Sequence, residues 1–435
     1  MELFRQEHFY ANLSERKEKE LLSSQEGFVV GQKDGQLMRL DGTGDPIFTF
    51  AWDPWVREDH AAIPNLLDHQ GSALSISVGN RVVKETLAYR RDVLKQKVYV
   101  FDPYDVTGQH NCSINILDQF EPDHLEYTTQ KLACSFLQEE ILEAPSVQEN
   151  YDRLYPAEKQ RDMLMAVELA ENLLNSTFLY LLTADQKEVP SEDRNLEHCG
   201  SLLSSREEEL IKHFVTDTGP YRYFLNNTGN WFSGEMTHSI NTAWLLAASS
   251  LHGFLDVKGK AETSSFRLSS LREEPTTIYV VMPNVQTLAT NKRWLRAFVE
   301  TVEDACPNLT NSPDDHKRIE KNDRILFMID EIARLGRLTY TELGPHSPLV
   351  KGITYWGLTH HPHDLVDVYG KHAEYFTNNN PHMQLLDHYN EKGMVVGTTR
   401  EASVKELVQH EIVMSPPRPK QSSLSKGSLC TKDCT

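Results

Sequence analysis

Between residues 27 and 104 the chain switches repeatedly between two hydrophobic periods. GFVVGQKDGQLMRL (27–40) alternates apolar and polar positions around a DG turn, which is the pattern of a β-hairpin. PIFTFAW (46–52) predicts a short strand, and IPNLLDHQGSALSISVG (63–79) predicts a helix end, a turn and a second strand. RVVKETLAYRRDVLK (81–95) has helical spacing, and KVYVFDPY (97–104) reads as a buried strand ending at a proline. Strands and helices in alternation predict a parallel sheet with crossover helices.

From about residue 120 to 250 the strand signal fades. TTQKLACSFLQEEIL, AEKQRDMLMAVELAENLLNSTFLYLL and SREEELIKHFV carry apolar residues three and four apart, the mark of amphipathic helices. The strand pattern returns with TTIYVVMP (276–283), RILFMIDE (324–331) and GITYWGLTH (352–360), with a helix at NKRWLRAFVETVEDA. The fold class is therefore α/β, with a mainly parallel sheet and an all-helical insertion. The predicted boundaries are a charged N-terminal tail at 1–22, a first sheet part at 23–119, the insertion at 120–250, a second sheet part at 251–412 and a disordered, Pro- and Ser-rich tail at 413–435.

Charge narrows the function classes. With 44 basic against 63 acidic residues and a net charge of -19, the 435-residue chain is a poor general binder of polyanions. A local basic groove stays open, so DNA binding is possible but disfavoured. The first twenty residues have no apolar core of a signal peptide, and FLYLLTA and AWLLAASSL fall far short of the roughly 20 residues that span a bilayer. The six cysteines are scattered without a CxxC pair, as suits a reducing compartment, and the terminal CTKDC alone is a weak metal or disulfide signal.

RILFMIDEIARLGRL is the most informative stretch. An apolar strand ending in Asp330 and Glu331 has the form of a Walker B motif, whose first acid holds Mg²⁺ and whose second polarises water. The plainer reading is a buried strand whose terminal acids sit at a helix N-terminus or pair with Arg334 and Arg337. His360, His361 and His363 of THHPH invite a metal reading. Pro362 breaks their spacing and only Asp364 stands nearby as an acid, so the expectation there is a solvated loop at a strand end.

Taken in order, GFVVGQKDGQLMRLDG, IPNLL, ETLAYRRDVLKQKVYVFDPYD, NILD, SSFRLSSLREEPTTIYVVMP, ILFMIDEIARLGRL and VYGKHAEYFTNNN resemble the TraG-like coupling proteins of type IV secretion and conjugation systems. The resemblance covers roughly residues 26 to 400. It implies a RecA-like P-loop NTPase fold with an all-helical insertion, hexameric assembly and ATP with Mg²⁺ as cofactors. It also implies N-terminal membrane helices, which are not legible in this sequence.

The departures matter as much as the resemblance. Counting back from IPNLL, the family's phosphate loop PTGSGKG falls on Trp52 to Glu58, WDPWVRE. A phosphate loop works through successive backbone N–H groups, glycines that let the backbone approach and a lysine on the β and γ phosphates. Pro54 has no N–H, Trp55 and Val56 add bulk, and Arg57 stands at the lysine position with a planar fork in place of a compact charge. Asp53, Glu58 and Asp59 add negative charge, each worth up to about 4 kcal/mol of repulsion at roughly 4 Å in an effective dielectric near 20. The family's DxKGE positions read Ser77, Gly79, Asn80 and Arg81, and its phosphate-sensing glutamine falls on His360.

The expectation is a coupling-protein homologue that is ATPase-inactive, needs no cofactor and acts as a scaffold or adaptor. Its expected partners are type IV secretion components or a complete coupling protein, in a homo- or mixed hexamer. Its expected location is the bacterial cytoplasm, with recruitment to the cytoplasmic face of the inner membrane. The alternative is an active, divergent ATPase delivering DNA or protein, with Arg57 replacing the lysine, Asp330 holding Mg²⁺ and Glu331 as the base.

Overall fold

The computed structural model describes residues 27–33, 36–40, 46–138, 157–205, 237–251, 264–311, 319–338 and 346–369, with short strands at 383–385, 387–389, 395–398 and 412–413. The charged tail 1–22, all of SREEELIKHFV after its first residue, residues 226–236, most of VYGKHAEYFTNNN and the tail after 413 with its CTKDC lie outside these residues.

β1 (Phe28–Lys33) and β2 (Gln36–Leu40) form the predicted antiparallel hairpin. The main sheet uses β3 (Ile47–Phe50), β4 (Ala73–Val78), β5 (Lys97–Phe101), β6 (Thr276–Met282), β7 (Ile325–Asp330), β8 (Ile353–Thr359) and β9 (Met383–Leu385). A second hairpin, β10 (Asp387–Tyr389) with β11 (Val395–Thr398), precedes β12 (Ile412–Val413). The sheet order is β12-β9-β3-β8-β7-β4-β6-β5, and every pairing except β12 with β9 is parallel.

β6, β7 and β8 are buried along their full length, which is why each reads as an unbroken apolar run instead of an alternating one. Alternation survives in which face each residue serves. Ile325, Phe327 and Ile329 of β7 join Phe136, Phe178 and Trp294 on one side of the sheet, and Leu326 and Met328 join Phe28, Val30 and Leu66 on the other.

Helices cover both faces. α1 (Pro54–Arg57) runs through a wide π turn, Glu58–Ala62, into α2 (Ile63–Asp68), and Pro64, which lacks an N–H, accounts for the widened turn. α3 (Arg81–Ala88) crosses from β4 towards β5. Between β5 and β6 the described elements are helical: α4 (Leu125–Leu137), the 27-residue α5 (Ala157–Thr183), α6 (Leu196–Ser205) and α7 (Thr237–Ser250). α8 (Lys292–Ala305) leads to β7, and α9 (Pro362–Tyr369) follows β8.

The insertion is tied to the sheet by a buried cation. Arg296 on α8 donates from Nε to Ser135 O at 2.9 Å and from Nη1 to Leu335 O at 2.9 Å, so the last turn of α4 and the segment after β7 share one guanidinium. No helix among the described residues is long and apolar enough to cross a membrane. Cys112, Cys199 and Cys306 are free and buried, and burial pushes the Cys112 thiol up to about 12.

Parallel register brings three strand ends to one edge. Phe50 pairs with Thr359 and Asp330 with Leu358, and Ala51 N donates to Thr359 O at 3.2 Å. The residues that follow β3, β7 and β8 therefore meet, which is where open α/β sheets carry their sites.

Candidate functional site

Only Ala51, Trp52 and Asp53 separate β3 from the first helical turn. Pro54 takes the first helical position, where a missing N–H is no loss and its fixed φ favours the helix. Asp53 caps that helix, accepting from Trp55 N at 3.0 Å through Oδ1. Its carboxylate thus holds the helix N-terminus that a phosphate would otherwise occupy.

One turn later Arg57 is fully buried, with both terminal nitrogens of its fork engaged inside the protein and Nε left without a hydrogen-bond partner. Nη1 donates to Ala51 O at 2.6 Å and lies 3.1 Å from His360 Nδ1. Nη2 donates to Asp330 Oδ1 at 3.2 Å and to Glu331 Oε1 in a short contact. His360 Nε2 reaches the same Glu331 oxygen at 3.0 Å, and Nδ1 lies 3.0 Å from Trp52 O. Glu331 is left-handed, at φ 54°, a conformation uncommon for a side chain of its size. That turn at the end of β7 places its carboxylate within reach of both cations.

A second knot lies beside the first. Arg81, the first residue of α3, donates from Nη1 to Glu58 Oε2 at 3.2 Å and from Nη2 to Asp59 Oδ1. Its guanidinium carbon also stands 5.8 Å from the Trp55 ring centroid, a cation–π distance. The acids at the loop and the arginine at the DxKGE position thus neutralise each other. Trp52 packs 5.3 Å from His360, and both tryptophans leave about two thirds of their surface in solvent, 66% and 64%.

The structure brings together Arg57, Asp330, Glu331 and His360, and it redirects two expectations. The acids take Arg57 as their main partner, because register places it across the strand ends, whereas Arg334 approaches Glu331 only at 3.9 Å and is over half exposed. His360 is not in a solvated loop: it is part-buried against Glu331, and Pro362 opens α9 with Asp364 accepting from His361 N at 2.8 Å. Among the described residues no cluster of three His, Cys, Asp or Glu side chains has metal-holding geometry.

Burial raises Asp330 to about 6 against the pull of Arg57, and burial with the nearby Asp330 charge raises Glu58 to about 7. The hydrogen bond to Glu331 raises His360 above its ordinary value. Burial opposes the charge of Glu331, but the His360 bond and Arg57 outweigh it and hold that carboxyl low. Groups raised in the folded state bind more protons there than in the unfolded chain, so stability falls as pH rises through their windows. Those windows run from 3.8 to about 6 for Asp330, from 4.5 to about 7 for Glu58 and upward from 6.5 for His360. These three groups should therefore lower the melting temperature as pH rises from about 4 to about 7, and Glu58→Gln should flatten the part nearest 7, as calorimetry across that range would read.

These residues do not fit a Mg²⁺–nucleotide. A guanidinium stands on the two carboxylates at the end of β7, a carboxylate caps the helix N-terminus, and the turn after β3 is too short to cradle phosphates. The departures were legible one by one in the sequence. Their pairing was not, although each lost motif had gained a charge opposite to one that another motif kept or gained.

The family model for Type IV secretory system conjugative DNA transfer matches residues 60–344. Among solved structures, the chain resembles the plasmid coupling protein TrwB in complex with ADP and Mg²⁺, at 16% identity and a TM-score of 0.55 over 87% of this chain and 78% of that one. It is equally similar to TrwB with the ATP analogue ADPNP, at 17% identity and a TM-score of 0.54 over the same shares, 87% and 78%. The unbound bacterial conjugative coupling protein TrwBdeltaN70 aligns at 17% identity and 0.52, over 83% and 73%. No curated protein sequence matches the chain. At these identities the likeness shows the fold, RecA-like and P-loop-derived, with helices inserted between its strands.

Proposed function

The chain belongs to the type IV secretory system conjugative DNA transfer family, and we propose that within it this protein is a nucleotide-independent scaffold or adaptor for the transfer machinery. The observation that carries this reading is that the departures from the family's phosphate chemistry bond to one another. Arg57 and His360 engage Asp330 and Glu331, and Arg81 engages Glu58 and Asp59. Random decay of an ATPase would leave buried charges unpaired, at several kcal/mol each. That each substituted position meets an opposite charge from another supports selection for a stable fold at this end of the sheet.

On this reading the protein is recruited from the bacterial cytoplasm to the inner-membrane face by other secretion components or by a complete coupling protein, with which it shares a ring. Acidic net charge makes DNA a poor direct partner. Retention of Asp330 and Glu331 side by side favours the second reading, an active divergent ATPase.

Two measurements separate them. A nucleotide that bound at 100 times its dissociation constant would stabilise the fold by about 2.7 kcal/mol. We expect no shift in melting temperature with millimolar Mg-ATP, and no hydrolysis above that of the Asp330→Asn, Glu331→Gln variant. Hydrolysis that vanishes in the variant establishes the ATPase reading instead.

A further inference from the structure

Away from the strand ends, the helical insertion carries a groove between α4 and α5 with a volume of about 490 Å³. Glu126, Glu168 and Glu171 line it with Tyr127, and no Lys or Arg among the described residues does. Glu126 and Glu168 are exposed, Glu171 is half-buried, and Tyr127 leaves 69% of its surface in solvent.

The floor of the groove carries a separate sign of a missing donor. Gln130 Nε2 donates to Glu171 Oε1, which fixes the direction of the Gln130 amide and leaves its Oε1 to accept from Asn175 Nδ2 at 2.7 Å. Asn175, only 4% exposed, is thereby oriented with Oδ1 buried and without a hydrogen-bond partner. A buried carbonyl oxygen left unmade is costly and rare in a settled core. The groove thus offers three carboxylates and one unmade carbonyl acceptor, beside an aromatic face suited to a cation.

We propose that this groove binds the chain's own C-terminal segment, residues 414–435, through its lysine and arginine side chains. That segment carries Arg418, Lys420, Lys426 and Lys432 against the single acid Asp433, in a chain whose net charge is -19. It is the cationic stretch that complements three carboxylates. It also reaches: β12 lies six strand spacings from β6, about 29 Å at roughly 4.8 Å each. The 13 residues from Val413 to Lys426 span up to about 43 Å extended, which leaves length to climb over the helical layer, and Lys432 has more. An occupied groove makes the insertion's acidic face available to other partners only when the segment leaves.

Zero-length carbodiimide cross-linking of the full wild-type chain tests this, with the Lys131–Asp304 ion pair at 2.6 Å as an internal positive control. The expected result is links from Lys420, Lys426 or Lys432 to Glu126, Glu168 or Glu171 within one chain. A control link without tail-to-groove links, or such links only between chains in an isotope-mixed sample, overturns the proposal. As a second measurement, a labelled synthetic peptide of residues 414–435 is titrated into the full chain carrying Arg418→Gln, Lys420→Gln, Lys426→Gln and Lys432→Gln. It should bind there at least tenfold more tightly than to the wild-type chain, and Glu168→Gln with Glu171→Gln should abolish that difference without changing the melting temperature. Equal binding to both tails, or none to either, counts against it.

Discussion

Arg57→Met is expected to lower the free energy of unfolding by about 3–5 kcal/mol, the usual cost of stranding buried charges by removing one partner. Arg57 is fully buried, and its fork serves Ala51 O, Asp330 and Glu331 together. Without it two carboxylates stand beside each other in a site only 1–3% exposed, with His360 as their remaining close cation. Denaturant unfolding monitored by tryptophan emission reads the loss directly. The triple variant with Asp330→Asn and Glu331→Gln should recover most of it, since replacing a whole buried ionic group is often neutral or better. A loss below about 1 kcal/mol in Arg57→Met, the range of exposed ion pairs, would mean that the network does not hold the strand ends together.

The second large effect is expected at Arg296→Met, at about 2–4 kcal/mol, because hydrogen bonds from a buried charged donor contribute about 1.5–3 kcal/mol each and their carbonyls are left unmade. Arg296 joins Ser135 O, at the end of α4, to Leu335 O, just beyond β7. The loss should therefore be local as well as global. Hydrogen exchange should show α4 amides opening faster than those of β7, where a uniform change would place Arg296 in the sheet's stability alone. The same linkage makes the insertion and the strand-end charge cluster neighbours in energy. A partner that moves α4 will be felt at the segment that follows Asp330 and Glu331.

The strands and most helices were legible because burial writes itself into periodicity. TTIYVVM, ILFMID and ITYWGLT are continuous apolar runs since both faces of the sheet are covered. The hairpin at 28–40 and the helix at 81–88 followed from local signals alone. The unlikeness of Trp52 to Glu58 to a phosphate loop was equally local, since a proline removes a backbone donor and a tryptophan adds bulk wherever they fall.

What periodicity cannot carry is which residue faces which across a sheet. THHPH read as a solvated loop because nothing within a few residues of His360 explains it, while its partner Glu331 lies 29 positions away and Arg57 lies 303 away. Arg334 and Arg337 looked like the partners of the Walker B acids because they are near in sequence, and Arg334 does approach Glu331 at 3.9 Å, but the parallel register of β3, β7 and β8 delivers Arg57 as the closer partner. The sequence by itself determined the α/β class, the family and the departure of each phosphate-loop position from the family pattern, all properties of single residues or short windows. Only the tertiary structure decided that those changed residues neutralise one another. An ion pair between charges is set by distance in space, and register alone brings residues 57, 330, 331 and 360 within hydrogen-bond reach.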